Sequence, residues 1–306
     1  MNRITMDEVV SMLEEKRKTS KEGDIINLNK LNLRGMYFEY INFNHVAFSG
    51  CDLTETVFFR CYFFGAKLNS NKFLKTKFNF CNLNRSDFSH SNLIDVDFSN
   101  SYLKHSTLKN IGMSNSILKY INMNNSDLSN SHITNCDFRS SFLTNANISN
   151  SDLSYSDFYN ADLYKADLQN CSLGSVNFYS ANLFNTNLNG AKTDSRTDHF
   201  YSKCPTEGSF IGFKKAGDCI IKLKITEDAK RSNATTNKCR CSKAKVLNIE
   251  NIISGEKIQE IQSDFDIDFI YKVGEIVEEK SFDNNRWVEC SSGIHFFITK
   301  DEAINY

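Results

Sequence analysis

Counting by fives from Leu28 through Leu33, Phe38, Phe43 and Phe48 to Leu188, all 33 positions are Leu, Phe, Ile or Met, without slippage. Two residues before each stands a mostly small side chain, among them Cys51, Ala66, Cys81, Ser86, Ser101, Ala146 and Ala181. The residue between them is mainly polar, as at Asn82, Asp87, Asp97, Asp127 and Asp152, and the remaining two positions are largely polar too. A strand sends alternate residues to one face, so the small and the large residue both point inward. Two outward residues then precede the next inward pair, which requires a corner. The pattern predicts short strands joined by turns, wound so that each coil stacks on the last and buries one continuous core.

The coil size is also written in the chain. Phe recurs at 38, 58, 78, 98, 138, 158 and 178, with Leu118 filling the gap. Like residues stack when four five-residue units complete a turn, which predicts a square coil. About eight coils, spaced by about 4.8 Å, form a prism roughly 40 Å long. Cys61 and Cys81 fall at equivalent inward positions, as compact core filler.

A solenoid's open ends need covering. Residues 5–18 predict a helix with Thr5 as N-cap, Glu8 three on, and Met6, Val9, Val10 and Leu13 in one stripe. This element, within residues 1–25, is expected to cap the first coil. After Ala191 the register stops, and residues 193–198 read as a polar linker. From 199 to 306 alternating strands (Ile221, Leu223, Ile225; Ile294, Phe296, Ile298) and a short last helix from Thr299 predict a small C-terminal α+β domain.

"ADLYKADLQN" and "ANLFNTNLNG" fit an A(D/N)LXX consensus closely. On these residues, 26–192 resemble the pentapeptide repeat family. The resemblance implies a mainly β fold, a right-handed quadrilateral β-helix, and frequent dimers. Some members of that family mimic a DNA duplex and bind DNA gyrase. The segments "CPTEGSFIGFKKA", "DAKRSNATTNKCRCSKAKV" and "CSSGIHFFITKDEAINY" resemble an uncharacterised domain that accompanies such repeats, for which no activity is implied.

Composition narrows the function classes. A net charge of −1 over 306 residues argues against a nucleic-acid binder or a strongly acidic mimic. Residues 26–198 hold 15 Lys or Arg against 14 acids, so the coils are nearly neutral. No run of about eighteen apolar residues predicts a membrane span, and the charged N-terminus does not read as a secretory signal. Ten cysteines without a disulfide pattern point to reduced thiols and a cytoplasmic protein.

Candidate chemistry lies in the C-terminal domain. Cys239 and Cys241 would share a strand face, and Cys290 with His295 could complete a zinc site; isolated reduced cysteines are the simpler reading. Cys290 with His295, or Cys204 with His199, are candidate nucleophile–base pairs that lack a visible activating group. Residues 203–245 carry 11 Lys or Arg against 4 acids, and 246–306 carry 5 against 13. Either the halves neutralise each other, or Lys230, Arg231, Lys238, Arg240, Lys243 and Lys245 form a basic surface contacting phosphate or nucleic acid. In the late coils Tyr159, Tyr164, Tyr179 and Phe184 point outward and would contact the C-terminal domain or a partner. The expectation is a non-enzymatic scaffold or protein–protein interaction module, with an unknown protein partner and a homodimer formed through the C-terminal region. Its alternatives are a gyrase-binding DNA mimic, or a ligand-, metal- or nucleic-acid-binding C-terminal domain displayed on an inert β-helix.

Overall fold

The computed structural model describes residues 4–21, 23–266 and 268–306, in two compact units divided between Asp198 and His199. The first unit is a β-solenoid. Four parallel ladders climb it, each advancing twenty residues per level; one runs Tyr37, Val57, Lys77, Asp97, Ile117, Asp137, Asp157, Asn177. The large residue of each five is buried from Leu28 to Leu183, while Leu188, near the end, is half-buried. The predicted aromatic column is present. Phe38, Phe58, Phe78 and Phe98 stack face to face at centroid distances of 5.3, 5.0 and 5.2 Å.

Each kind of position has its own physical task. The small inward residue does more than fill space, because its polar atom reaches the carbonyl of the large residue one coil earlier. Thr56 Oγ1 donates to the Leu33 carbonyl at 2.8 Å, Cys51 Sγ to Leu28 at 3.0 Å, and Ser151 Oγ to Leu128 at 3.1 Å. Buried polar atoms are thereby paired, as burial away from water favours, with the Ser141 hydroxyl as an exception. Burial pushes the Cys61 and Cys171 thiols up to about 11 and Cys136 to about 12, so these thiols stay protonated and inert. The outward Asp or Asn accepts from the backbone N–H two residues on, as Asp87 does from Ser89 at 3.0 Å and Asp152 from Ser154 at 3.0 Å. That side chain closes the turn. The fifth residue turns the corner with positive φ, from Lys30 at 60° to Asn185 at 59°. Asn is frequent there because its short polar side chain tolerates the left-handed region.

Helix α1, Met6–Thr19, begins at Thr5 with a reciprocal bond pair to Glu8. Val9 and Leu13 are buried, whereas Met6 is exposed. Arg17 donates to the Asn42 carbonyl at 2.7 Å, tying the helix to the solenoid. At the other end, residues 193–198 are not a linker. Lys192 pairs with Ser172 and Asp198 with Asn177, so the segment continues the ladder with one residue more than the regular coil. Asp194 absorbs the extra residue by accepting from the backbone N–H groups of Ser175 and Arg196, both at 2.9 Å.

Among its described residues the second unit contains nine strands: β1 Phe210–Ala216, β2 Cys219–Ile225, β3 Arg231–Asn233, β4 Cys239–Cys241, β5 Lys243–Asn251, β6 Glu260–Gln262, β7 Ile270–Lys272, β8 Ile276–Glu278 and β9 Ile294–Phe296. They form antiparallel sheets β1-β2-β5-β8, β3-β4-β9 and β6-β7, followed by helix α2, Lys300–Ile304, capped by Thr299 and Glu302. Ile221, Leu223, Ile225, Cys239, Cys241 and Phe296 share one core. Gly212 lets Phe296 approach β1, since a Cβ there would lie 2.5 Å from its ring. Among the described residues no helix is long and apolar enough to cross a membrane.

Candidate functional site

On the solenoid, two outward columns carry aromatics on either side of one corner. The first holds Tyr40, Arg60, Phe80 and Tyr120; the second holds Tyr62, Tyr102 and Phe142. These six aromatic side chains are 46–59% exposed. Arg60 ties the cluster together: its guanidinium donates to the Tyr40 hydroxyl and lies 5.0 Å from the Phe59 ring centre and 6.0 Å from that of Phe80. Between the columns runs a groove of about 390 Å³ lined by Tyr40, Arg60, Tyr62, Phe80, Asn82, Asn84 and Tyr102. Tyr40, Arg60, Phe80 and Tyr120 all sit at positive-φ corners, where Asn or Gly is easier to accommodate. Large side chains held against that preference suggest a use for them.

The late aromatics expected to meet a partner stack in pairs. Tyr159 lies 5.6 Å from Tyr179 and Tyr164 lies 5.7 Å from Phe184, and of the four Tyr159 is the most open, at 42% exposure.

In the C-terminal domain the expected zinc ligands do not converge. Cys239 faces Phe296 across β4 and β9, Cys241 faces Ile294, and Arg240 faces His295. Alternation along the strand therefore puts the two thiols on one side with the core, and His295 on the other. Cys239 donates to the Cys204 thiol, which lowers the Cys204 pKa and, together with burial, raises that of Cys239. Among the described residues no three His, Cys, Asp or Glu are grouped to hold a metal ion.

The six basic residues do not form a common surface either. Arg240 is buried and donates to the carbonyls of Asp283, Ser292 and Asn285 at 3.2, 2.9 and 3.0 Å. Arg231 donates to the carbonyls of Pro205 and Thr226 at 3.2 and 2.7 Å, and Lys243 pairs with Asp228 at 2.7 Å. Lys238 is buried, which leaves Lys230 and Lys245 as the exposed members. These cations serve the fold because the short sheets leave many carbonyls without strand partners.

Cys290, His295 and Lys238 do meet, at a cavity of about 640 Å³. Lys238 Nζ lies 3.4 Å from Cys290 Sγ and donates to the Tyr306 hydroxyl at 3.0 Å. The His295 ring nitrogen Nε2 is 3.1 Å from the Ser291 carbonyl, so it carries the proton. Burial and the charges of Lys238 and Lys214 push the His295 pKa down to about 4. The nearest partner of Cys290 is thus a lysine, and His295 is committed to a carbonyl. His199, the other expected base, has its Nε2 3.4 Å from Lys203 Nζ.

With this geometry in hand, known proteins were compared. The pentapeptide repeats model matches in eight copies over 72–110, 113–145, 133–170, 143–178 and 161–192. The chain carries pentapeptide repeats. Residues 200–303 match a family of unknown function, DUF5758. No match was found among the curated proteins. Similar solved structures include HetL, a pentapeptide repeat protein involved in heterocyst differentiation regulation from the cyanobacterium Nostoc sp. strain PCC 7120. It is 17% identical over 62% of this chain and 95% of its own, with a TM-score of 0.29. Full-length QnrB1, a plasmid-mediated fluoroquinolone resistance protein, is 16% identical over 56% of this chain and 94% of its own, with a TM-score of 0.33. The pentapeptide repeat protein alr5209 from Nostoc PCC 7120 is 31% identical over 36% of this chain and 77% of its own, with a TM-score of 0.14.

The pentapeptide ladder begins before the matched residues, at Ile26. Those early coils hold Tyr40, Arg60 and Tyr62 of the aromatic corner that sequence reasoning missed, and Phe80, Tyr102, Tyr120 and Phe142 fall within the matched residues. The signal was available: outward residues spaced by twenty, 40, 60, 80 and 62, 82, 102, fall in columns as surely as the inward ones. The acids of the later pentapeptides are largely engaged, as turn acceptors and in pairs such as Lys109–Asp127 at 3.1 Å and Arg139–Asp137 at 2.7 Å.

Proposed function

We propose that this protein is a non-enzymatic interaction module whose β-helix binds a protein partner along the aromatic corner. One observation carries the reading: four half-exposed aromatics, Tyr40, Tyr62, Phe80 and Tyr102, line a single groove with Arg60, and Tyr120 and Phe142 continue its two columns. Aromatic residues and Arg are the side chains enriched at protein interfaces. Near-neutral coils favour such a contact over charge-driven binding of nucleic acid. The partner can equally be a second copy of the chain, and light scattering gives the mass that decides this.

A photo-crosslinking amino acid in place of Tyr102 tests the reading in cell extract. A discrete protein adduct is expected, and it should disappear when Tyr62→Ser and Tyr120→Ser are added to a chain whose circular dichroism is unchanged. No adduct, or one indifferent to those substitutions, would overturn it.

A further inference from the structure

The cavity of the C-terminal domain contains a buried lysine that forms no ion pair among the described residues. Lys214, on β1, is 8% exposed and lines the cavity. Among the described residues its ammonium has neither a hydrogen bond nor an ion pair, and its nearest recorded partner is the Tyr271 ring, 5.8 Å from Nζ. Lys238 is 6% exposed and reaches the same space from the segment just before β4, where it bonds only the neutral Tyr306 hydroxyl and the Cys290 sulfur. Burying a lysine without an ion pair is costly, and a fold that keeps two at one cavity, Lys214 with none and Lys238 with Glu289 beyond ion-pair distance, has left a place for negative charge. Burial and the Lys238 charge lower the Lys214 pKa, and the attraction of Asp264 on the rim offsets them only in part.

The carboxylates at the cavity have other work. Asp264 accepts from the Gly217 backbone at 2.9 and 3.2 Å, Asp266 from Asp268 at 3.0 Å, and Glu279 from Ser281 at 2.8 Å. Asp264 and Asp266 are solvent-exposed, on the rim. Phe269, Tyr271, Phe297 and Tyr306 contribute aromatic rings to the wall, beside Ile294 and several serines. Its volume, about 640 Å³, suits a small organic molecule.

We propose that this cavity binds a small aromatic anion, with its phosphate or carboxylate between Lys214 and Lys238 and its ring against Tyr271 and Phe297. The site stands independently of the interaction surface on the β-helix, and its failure would leave that reading untouched.

Calorimetric titration of the full chain with phenyl phosphate tests it, with benzoate, inorganic phosphate and phenol as companions. Phenyl phosphate or benzoate is expected to bind saturably, and which of the two binds tighter tells phosphate from carboxylate. Phenol should not bind, and inorganic phosphate should bind at least tenfold more weakly. Lys214→Met should weaken binding at least tenfold, Lys214→Arg less, and Lys222→Met, on the exposed side of β2, not at all. Without ligand, Lys214→Met should melt no lower than the parent, because it removes an unpaired buried charge. The proposal fails if neither aromatic anion binds, if inorganic phosphate binds as tightly, or if Lys214→Met binds unchanged. It fails equally if Lys214→Met melts lower, which would make the lysine part of the fold.

Discussion

The two units of this chain handle buried polar groups in opposite ways. In the β-helix the inward Ser, Thr and Cys side chains, Ser141 excepted, donate to a carbonyl of their own or the preceding coil, as at Ser86 to Leu83, 2.7 Å, and Cys171 to Ile148, 3.1 Å. In the C-terminal domain no rule repeats. Arg240 serves three carbonyls from three places in the chain, and Lys214 serves none. Repetition lets one local solution be copied, and leaves no residue special inside the solenoid. An irregular domain must satisfy each group singly, and the group left over marks where a ligand belongs.

The largest test of this contrast lies in the aromatic column. Phe78 is fully buried between Phe58 and Phe98. Phe78→Ala should cost about 3–5 kcal/mol in denaturant unfolding followed by far-ultraviolet circular dichroism. A cost under about 1 kcal/mol would mean that neighbouring coils collapse into the gap and that the column is not a shared core. Arg240→Met comes next, at about 3 kcal/mol, since it leaves the part-buried carbonyls of Asp283, Ser292 and Asn285 without this donor. Were this variant as stable as the parent, the C-terminal domain would not depend on its single cations as argued.

What could be read from the sequence follows the same division. The coil, its four sides and its aromatic stack were legible because each residue's environment depends only on its place in the five and the twenty. The segment 193–198 was misread because one extra residue ends the count by fives while Asp194 keeps the ladder going. The shared face of Cys239 and Cys241 was legible from strand alternation. That β9 would put His295 opposite Arg240, away from those thiols, depends on a long-range register that no local pattern encodes. The basic cluster failed for a similar reason: side chains close in sequence were claimed by different carbonyls, and only Lys230 and Lys245 stayed exposed.

A smaller effect separates the units by pH. The unfolded chain protonates His295 near its ordinary 6.5, whereas the folded chain does so only near 4, because burial and the charges of Lys238, Lys214 and Arg240 oppose the proton. The folded state therefore loses stability as pH falls from about 6.5 towards 4 and holds it above that window. The melting of the C-terminal domain should drop on the order of 10 °C across it. His295→Gln should flatten that slope, and a slope unchanged by the substitution would assign it to other groups.

The smallest effect bears most directly on function. Tyr120 turns its corner at φ 56° while being 59% exposed, so its ring brings little burial to set against a backbone region that Asn enters more easily. Asn100 occupies the same column one coil earlier, at φ 61°. Tyr120→Asn should accordingly stabilise the β-helix by about 0.5 kcal/mol, and Asn100→Tyr should destabilise it by a similar amount. Gaining stability while losing the crosslinked adduct would be the signature of an aromatic kept for a partner, since selection tolerates local strain where a surface is used. If Tyr120→Asn instead lowers stability, packing within the coil accounts for the aromatic, and the corner would then resemble the core in being explained by folding alone.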